Sequence, residues 1–399
     1  MKEGWRIVTL GEVCDRFGEY GMSVSSKPYD GIRYIRITDI TDDGNLNDDY
    51  VSADINYIDD DYRLQKGDVL FARTGATVGK TFVYKEEFGE CVYAGYLIRY
   101  RPNLSLVLPQ FLFYCTHYQE YYNWVKNNQK AAAQPNISAK LYNGYELSLP
   151  PLEEQHRIVS ILDASFEKID ALKKNAEENL KNAKALFLQV LAQELEPKEG
   201  WVEKKLGEVV KHITDGDHQP PPKSNQGIPF ITISNINKDN RTIDWRNTFY
   251  VPKEYFDGLK DDRKPKKGDI LYTVTGSYGI PVLIDSDSEF CFQRHIAIIR
   301  PNKETVCSEF LYNWALSVYS KEQAEDTATG AAQKTVSLKS MRNFKISFPT
   351  DIEEQHRMVC TLDTLSEKCR RLEEVAQQTI RECDALKQSI LRQAFSGEL

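Results

Sequence analysis

From Leu362 to Ile390, apolar and small residues recur at strict three- and four-residue intervals. They are Leu362, Leu365, Cys369, Leu372, Ala376, Thr379, Cys383, Leu386 and Ile390. Such a 3-4 alternation predicts a long amphipathic helix whose stripe packs on another helix as a coiled-coil seam. Two hundred residues earlier the same grid runs through Leu162, Ser165, Ile169, Leu172, Ala176, Asn179, Ala183, Leu186 and Val190, with Ser165 and Asn179 as polar interruptions. A helix from Leu152 to Glu194 is a rod of roughly 64 Å at ~1.5 Å per residue. Pro150-Pro151 and Pro349 end what precedes the two helices, and Asp and Glu crowd the first turns, where the helix dipole favours them.

Elsewhere the pattern is short and β-like. Ile32–Ile37, Asp68–Ala72, Phe230–Ile233 and Ile296–Ile299 are β-branched or alternating stretches broken by Gly and Pro, and they predict short strands. Pro109–Val125 and Ser308–Ala324 are predicted as helices.

The chain repeats itself. Gly4-Trp5 and Leu10-Gly11-Glu12-Val13 return as Gly200-Trp201 and Leu206-Gly207-Glu208-Val209. Lys66-Gly67-Asp68-Val69-Leu70-Phe71 returns as Lys267-Gly268-Asp269-Ile270-Leu271-Tyr272. Ala132-Ala133-Gln134 with Ile137-Ser138 returns as Ala331-Ala332-Gln333 with Val336-Ser337, and Glu153-Glu154-Gln155-His156-Arg157 returns unchanged at Glu353–Arg357. The predicted architecture is therefore α+β, a pseudo-two-fold internal repeat. It places a mixed α/β head at 1–150, a long helix at 151–197, a second head at 198–349 and a second long helix at 350–399. The link from Glu194 to Trp201 is too short to return along the rod. The two helices are expected to pair antiparallel as a spacer between the heads.

Composition narrows the class. The chain has 399 residues, 41% hydrophobic, 28% charged and 11% aromatic, an ordinary globular balance. No apolar run approaches the ~18–20 residues that span a bilayer, and Met1–Trp5 has no apolar signal core, so a cytoplasmic protein without membrane association is expected. Eight cysteines lack any C-x-x-C pair, which disfavours a zinc ribbon and fits reduced thiols. The net charge of −8 is uneven: −4 over 1–150, −3 over 151–197, +2 over 198–349 and −3 over 350–399. A uniformly cationic surface is excluded; a local basic patch is not.

The chain resembles the specificity subunit of a type I restriction–modification system. The resemblance rests on Pro151–Asp163 (Pro-Leu-Glu-Glu-Gln-His-Arg-Ile-Val through Leu-Asp) and its copy Ile352–Asp363. It rests also on the C-terminal Leu386–Leu399, the Trp-x5-Gly-Glu-Val head openings and the Gly-Asp-Val/Ile-Leu turns. It implies two target recognition domains that each read half of a split double-stranded DNA sequence. It implies a helical spacer that sets the distance between the halves. It further implies docking of two methyltransferase subunits that methylate adenine and of two motor-nuclease subunits. S-adenosylmethionine, ATP and Mg are then expected on those partners and no cofactor on this chain. A different class, a coiled-coil adaptor without a DNA role, fits the periodicity alone.

Catalytic signatures are missing, as a non-catalytic subunit requires. There is no Asn/Asp-Pro-Pro-Phe/Tyr. The nearest approach to a phosphate loop, Thr74–Thr81, has three residues between its glycines instead of four, and its copy at Thr275–Pro281 lacks the lysine. His156 and His356 follow paired glutamates but have no third ligand in view. DNA contact calls for cations toward phosphates and for amides, guanidinium and hydroxyl groups toward base edges. Three loops per head supply them. The candidates are Lys27 and its counterpart loop with His218, Gln219 and Lys223; Arg73, Thr74 and Lys80 with Thr275, Ser277 and Tyr278; and Gln134 and Asn136 with Gln333 and Lys334. Spacer and partner contacts are expected from Leu162, Ile169, Leu172, Leu186, Leu362, Leu365, Leu372, Leu386 and Ile390.

Overall fold

A computed structural model describes residues 4–54, 59–129, 135–216, 218, 220–331 and 333–399. The chain forms two compact units. The first is Met1–Ala176 with Gln378–Leu399; the second is Glu177–Gln377.

In the first unit the strands are β1 (Arg6–Thr9), β2 (Glu19–Tyr20), β3 (Ser26–Pro28), β4 (Arg33–Ile35), β5 (Val51–Ala53), β6 (Val69–Ala72), β7 (Thr81–Val83), β8 (Cys91–Tyr93) and β9 (Leu97–Tyr100). Helices α1 (Pro109–Cys115), α2 (Gln119–Asn128) and α3 (Ala139–Asn143) follow, then β10 (Glu146–Leu149) and the long α4 (Leu152–Glu194). The central sheet has the order β2-β9-β6-β7, all antiparallel; β4 pairs parallel with β8, whereas the β3–β5 and β1–β10 pairs are antiparallel.

In the second unit β11 (Val202–Lys205), α5 (Leu206–Val209), β12 (Val210–Asp215), β13 (Ile228–Ile231), β14 (Phe249–Val251) and α6 (Lys253–Asp257) lead to β15 (Ile270–Thr273), β16 (Pro281–Leu283), β17 (Cys291–Phe292) and β18 (Ile296–Pro301). Then come α7 (Ser308–Leu316), α8 (Val318–Thr327), α9 (Leu338–Arg342), β19 (Lys345–Phe348) and the long α10 (Ile352–Ser396). The central order β12-β18-β15-β16 repeats that of the first head.

The middle strands are buried on both faces, so their sequences are apolar throughout instead of alternating. Period two still sorts them. Val69 and Phe71 join the core with Ile98, Tyr100, Phe111 and Tyr142, while Leu70 and Ala72 face Ile35, Phe82 and Tyr93. Ile270 and Tyr272 join Ile299, Phe310 and Phe348; Leu271 faces Ile231, Val282 and Phe292. The turn ahead of each central strand is built identically. Gly67 and Gly268 take φ of 89° and 90°, a conformation that glycine adopts without penalty. Buried Asp68 accepts the Gln65 N–H at 2.9 Å and pairs with Arg101 at 2.9 Å. Buried Asp269 accepts the Lys266 N–H at 2.8 Å and pairs with Arg300 at 2.7 Å.

The helices predicted over Pro109–Val125 and Ser308–Ala324 are each broken in two. Thr116 and Ser317 turn their hydroxyls back onto the carbonyls of Phe113 (2.7 Å) and Trp314 (2.6 Å), and each chain restarts in a new direction. Serine and threonine compete for helix carbonyls in this way.

Each head core is completed by the distant end of a long helix. Ile158 and Leu162 share the first core with Leu391 and Ala394; Leu191 and Leu195 share the second with Val359 and Leu362. The pairing is antiparallel, as Lys173–Asp384 (2.7 Å) and Lys387–Asp170 show. The seam itself differs from its predicted line. One column of the grid is buried: Leu162, Ile169, Ala176 and Ala183 on α4, and Leu362, Cys369, Ala376 and Cys383 on α10. Leu365 and Ile390 are half-buried. The other column is not in the seam: Leu172, Leu186, Leu372 and Leu386 are 52%, 43%, 55% and 49% exposed. The second seam column lies one residue later, at half-buried Phe166, Lys173, Leu180 and Phe187 and at Glu373, Ile380 and Lys387. At ~100° per residue, position 173 returns to the face of Leu162, whereas position 172 falls about 80° aside. Below Leu162 and Ile169 the buried column on α4 is made of small Ala176 and Ala183, and on α10 of Cys369, Ala376 and Cys383. The Lys387 ammonium, 5.1 Å from the centre of the Phe166 ring, closes that flank.

Candidate nucleic-acid interface

The glycine loop after each central strand and the connector before each short helix meet by backbone pairing. In the first head Gly75 N–H donates to Pro135 O (3.0 Å) and Ile137 N–H to Arg73 O (2.9 Å), with Thr74 facing Asn136. In the second, Gly276 N–H donates to Lys334 O (2.9 Å) and Val336 N–H to Val274 O (2.9 Å), with Thr275 facing Thr335. The connector then caps the next helix: Ser138 Oγ accepts the Leu141 N–H at 3.3 Å, and Ser337 Oγ accepts the Ser340 N–H at 3.0 Å. Two of the three predicted loops thus form one site in each head.

In the first head the site holds Tyr20, Arg73, Thr74, Tyr96 and Asn136. The Arg73 guanidinium lies 4.7 Å from the centre of the Tyr20 ring. The Tyr20 hydroxyl accepts the Ala139 N–H at 3.0 Å, and exposed Tyr96 offers its carbonyl to the Arg73 N–H at 3.0 Å. Arg73 Nε, Thr74 Oγ1 and Asn136 Oδ1 are buried and have no hydrogen-bond partner among the described residues. Natively folded chains rarely leave such groups unpaired, because each costs ~1–3 kcal/mol. Here three such groups adjoin one another across the pairing of Thr74 with Asn136.

The second head frames a cavity of about 340 Å³ in the same place, between Asp215, His218, Thr275, Arg294, His295 and Gln333. His218 Nε2 lies 2.8 Å from Asp215 Oδ2, and Thr335 Oγ1 donates to Thr275 Oγ1 at 3.3 Å. Burial, and then the neighbouring Arg294, hold the His295 imidazole below its ordinary pKa, so it is neutral near pH 7. The Gln333 amide lies over Gly276: a methyl group there would sit 2.9 Å from its nitrogen.

The other predicted residues lie apart or are engaged. Lys27 stands on β3, in a different sheet, and is ion-paired with Asp30 at 2.8 Å. Lys80 is tied to Asp42 (2.8 Å) and to the Ile40 carbonyl (3.2 Å). Lys223 lies 5.2 Å from the centre of the Phe249 ring. Tyr278 packs on the second core, and the carbonyl of Ser277 accepts the Thr273 hydroxyl. Lys334 is exposed beside Gln333. Gln134 and Gln219 lie outside the described residues. The glycine loop is no phosphate cradle: the N–H groups of Gly75, Val78, Gly79 and Lys80 are all donated to carbonyls of the chain itself. His156 and His356 are exposed. Among the described residues no group of three His, Cys, Asp or Glu is placed to hold a metal ion.

Sequence reasoning missed Tyr20, Tyr96, Arg294 and His295. Tyr96 and His295 are equivalent, since their carbonyls accept from Arg73 and Val274. The only signal for them was their place just ahead of β9 and β18, the strands beside the central one.

The type I restriction modification DNA specificity domain model matches the chain twice, over residues 2–182 and 198–382. The chain is similar to the EcoBI specificity subunit of Escherichia coli, 26% identical over 70% of this chain and 64% of that subunit. It is 21% identical to the MjaVIII specificity subunit of Methanocaldococcus jannaschii, over 89% and 84%, and 23% identical to the EcoKI subunit of E. coli K12, over 100% and 90%. Among solved structures, a chain from work on assembly and conformational transition of the type I R-M system superposes with a TM-score of 0.78 at 22% identity, covering 100% of this chain and 99% of that one. The HsdS subunit from Thermoanaerobacter tengcongensis gives 0.53 at 23% identity, over 100% and 98%.

Proposed function

The chain belongs to the type I restriction modification DNA specificity family, and on that premise we propose that each head reads one half of a bipartite DNA target through the site at the end of its central strand. The observation that carries this is the matched frame with unmatched side chains. Both heads join the same two loops by the same backbone bonds, yet one presents Tyr20, Arg73, Thr74 and Asn136 and the other Asp215, Thr275, Arg294 and His295. A common scaffold with different donors and acceptors is what two different half-sites require. The family match in both heads favours this reading over a coiled-coil adaptor.

The chain is the non-catalytic part of the assembly. Methylation of adenine and DNA cleavage belong to partners: two methyltransferase subunits and two motor-nuclease subunits, which bring S-adenosylmethionine, ATP and Mg. The exposed leucines of the helices suit partner docking. In the antiparallel register Leu172 stands level with Leu386, and Leu186 with Leu372, so each unit offers an apolar pair. No helix among the described residues is long and apolar enough to cross a membrane, which fits work in the cytoplasm.

The test is modification sequencing of cells carrying the complete system with Asn136→Ala or Arg294→Ala. Each substitution should relax one half of the methylated motif by about 10- to 100-fold, the range of one base contact, and leave the other half intact. An unchanged motif with both variants would overturn the assignment of the site.

A further inference from the structure

The motif Glu-Glu-Gln-His-Arg is identical in the two copies, and none of its residues lines the second-head cavity. Its buried member is the glutamine. Gln155 and Gln355 are wholly buried, whereas His156 and His356 beside them are exposed. Gln155 Oε1 accepts the Leu108 N–H at 2.9 Å, and Nε2 donates to Leu106 O at 2.8 Å and to Pro150 O at 2.9 Å. Gln355 repeats each bond: Oε1 accepts the Cys307 N–H at 2.9 Å, and Nε2 donates to Thr305 O at 3.1 Å and Pro349 O at 2.9 Å.

One side chain therefore ties three segments together: the exit of the last head strand, the lead into α1 or α7, and the first turn of the long helix. Both amide hydrogens and the carbonyl oxygen are used, so the side chain has no alternative arrangement of equal energy. α4 and α10 each continue from one unit into the other. On the bipartite reading, the direction in which such a helix leaves its head bears on the separation of the two half-sites.

We propose that Gln155 and Gln355 are positioning residues for half-site separation: they hold the departure angle of each long helix and so restrict the number of base pairs tolerated between the two halves. This rests on the bipartite reading above. A pure folding role predicts a different result, because loss of fold weakens every DNA equally.

The experiment uses the complete methyltransferase complex with Gln155→Met or Gln355→Met, which keep the length and volume of the side chain without its hydrogen bonds. Gln155→Glu serves as a milder variant that keeps the acceptor for Leu108. Methylation is measured on duplexes with both half-sites unchanged and the intervening stretch altered by one or two base pairs either way. The expected result is a preference for the native separation that falls at least ten-fold, with base preference inside each half-site unchanged. A variant complex that remains as selective for separation as the parent overturns the proposal. So does a loss spread evenly over all separations in the Met and Glu variants alike. A parent complex that methylates no bipartite motif overturns the underlying reading instead, and that outcome is visible before any variant is made.

Discussion

The two heads place the same backbone around different chemistry. At one position in the pairing of loop and connector, the first head sets Thr74 against Asn136, and Thr74 Oγ1 and Asn136 Oδ1 have no partner among the described residues. The second sets Thr275 against Thr335, with their hydroxyls bonded at 3.3 Å. At the turn before the strand beside the central one, Tyr96 stands in the first head and His295 in the second. Where sheet register and turn geometry are at stake, the copies agree: both keep a left-handed glycine, then a buried aspartate and its arginine. Recognition can diverge because the frame does not rest on the residues that face the ligand.

The strongest test of a shared frame is the aspartate. Asp68→Ala and Asp269→Ala should each destabilise their own unit by about 1.5–3 kcal/mol, the range for hydrogen bonds to a charged group, because half-buried Arg101 and Arg300 and the turn N–H groups lose their acceptor. Denaturant unfolding would show it, and the effects should be alike. A large loss in one head and a negligible one in the other would break the equivalence.

The hydroxyls give a smaller effect whose sign differs between heads. Thr74→Val removes a buried, unpartnered group and should leave the free protein unchanged or stabilise it by up to ~1 kcal/mol. Thr275→Val removes a bonded one and should cost ~0.5–1 kcal/mol. Thermal melting of the two variants compares them directly. Equal destabilisation would mean that Thr74 is satisfied in solution and is not held for a ligand.

The least effect concerns pH. His295 has a lowered pKa, so the stability that its neutral form contributes is present above the ordinary histidine value of ~6.5 and is lost as pH falls below it, through the lowered folded value. The first-head site is built from Tyr20, Arg73, Thr74, Tyr96 and Asn136 and holds no histidine. Between pH 7.5 and 5.5, recognition of the half-site read by the second head should change while the other stays constant, and replacing both cavity histidines, His218→Gln with His295→Gln, should flatten the profile. Parallel changes at both half-sites would refute the distinction.

Much of this was legible in the chain. The duplication, the extent of α4 and the central strands follow from spacing and apolar runs, which are local properties. The candidate site was legible in part. Arg73, Thr74 and Asn136 stand on loops with suitable chemistry, and so do His218, Thr275 and Gln333. Lys27, Lys80 and Lys223 have the same chemistry but are engaged elsewhere. Charge alone cannot separate a free cation from a paired one.

The seam shows the same division. A seven-residue period determined that Leu162, Ile169, Ala176 and Ala183 form a buried column, as do their counterparts on α10. The period says nothing about which flank the partner covers. That was decided by tertiary packing: Phe166 lies under Lys387, and Leu172, Leu186, Leu372 and Leu386 face outward. The meeting of Gly75 with Pro135 and of Gly276 with Lys334 was likewise a tertiary decision. Such contacts join residues about sixty positions apart, and only the order of strands in the sheet brings them together.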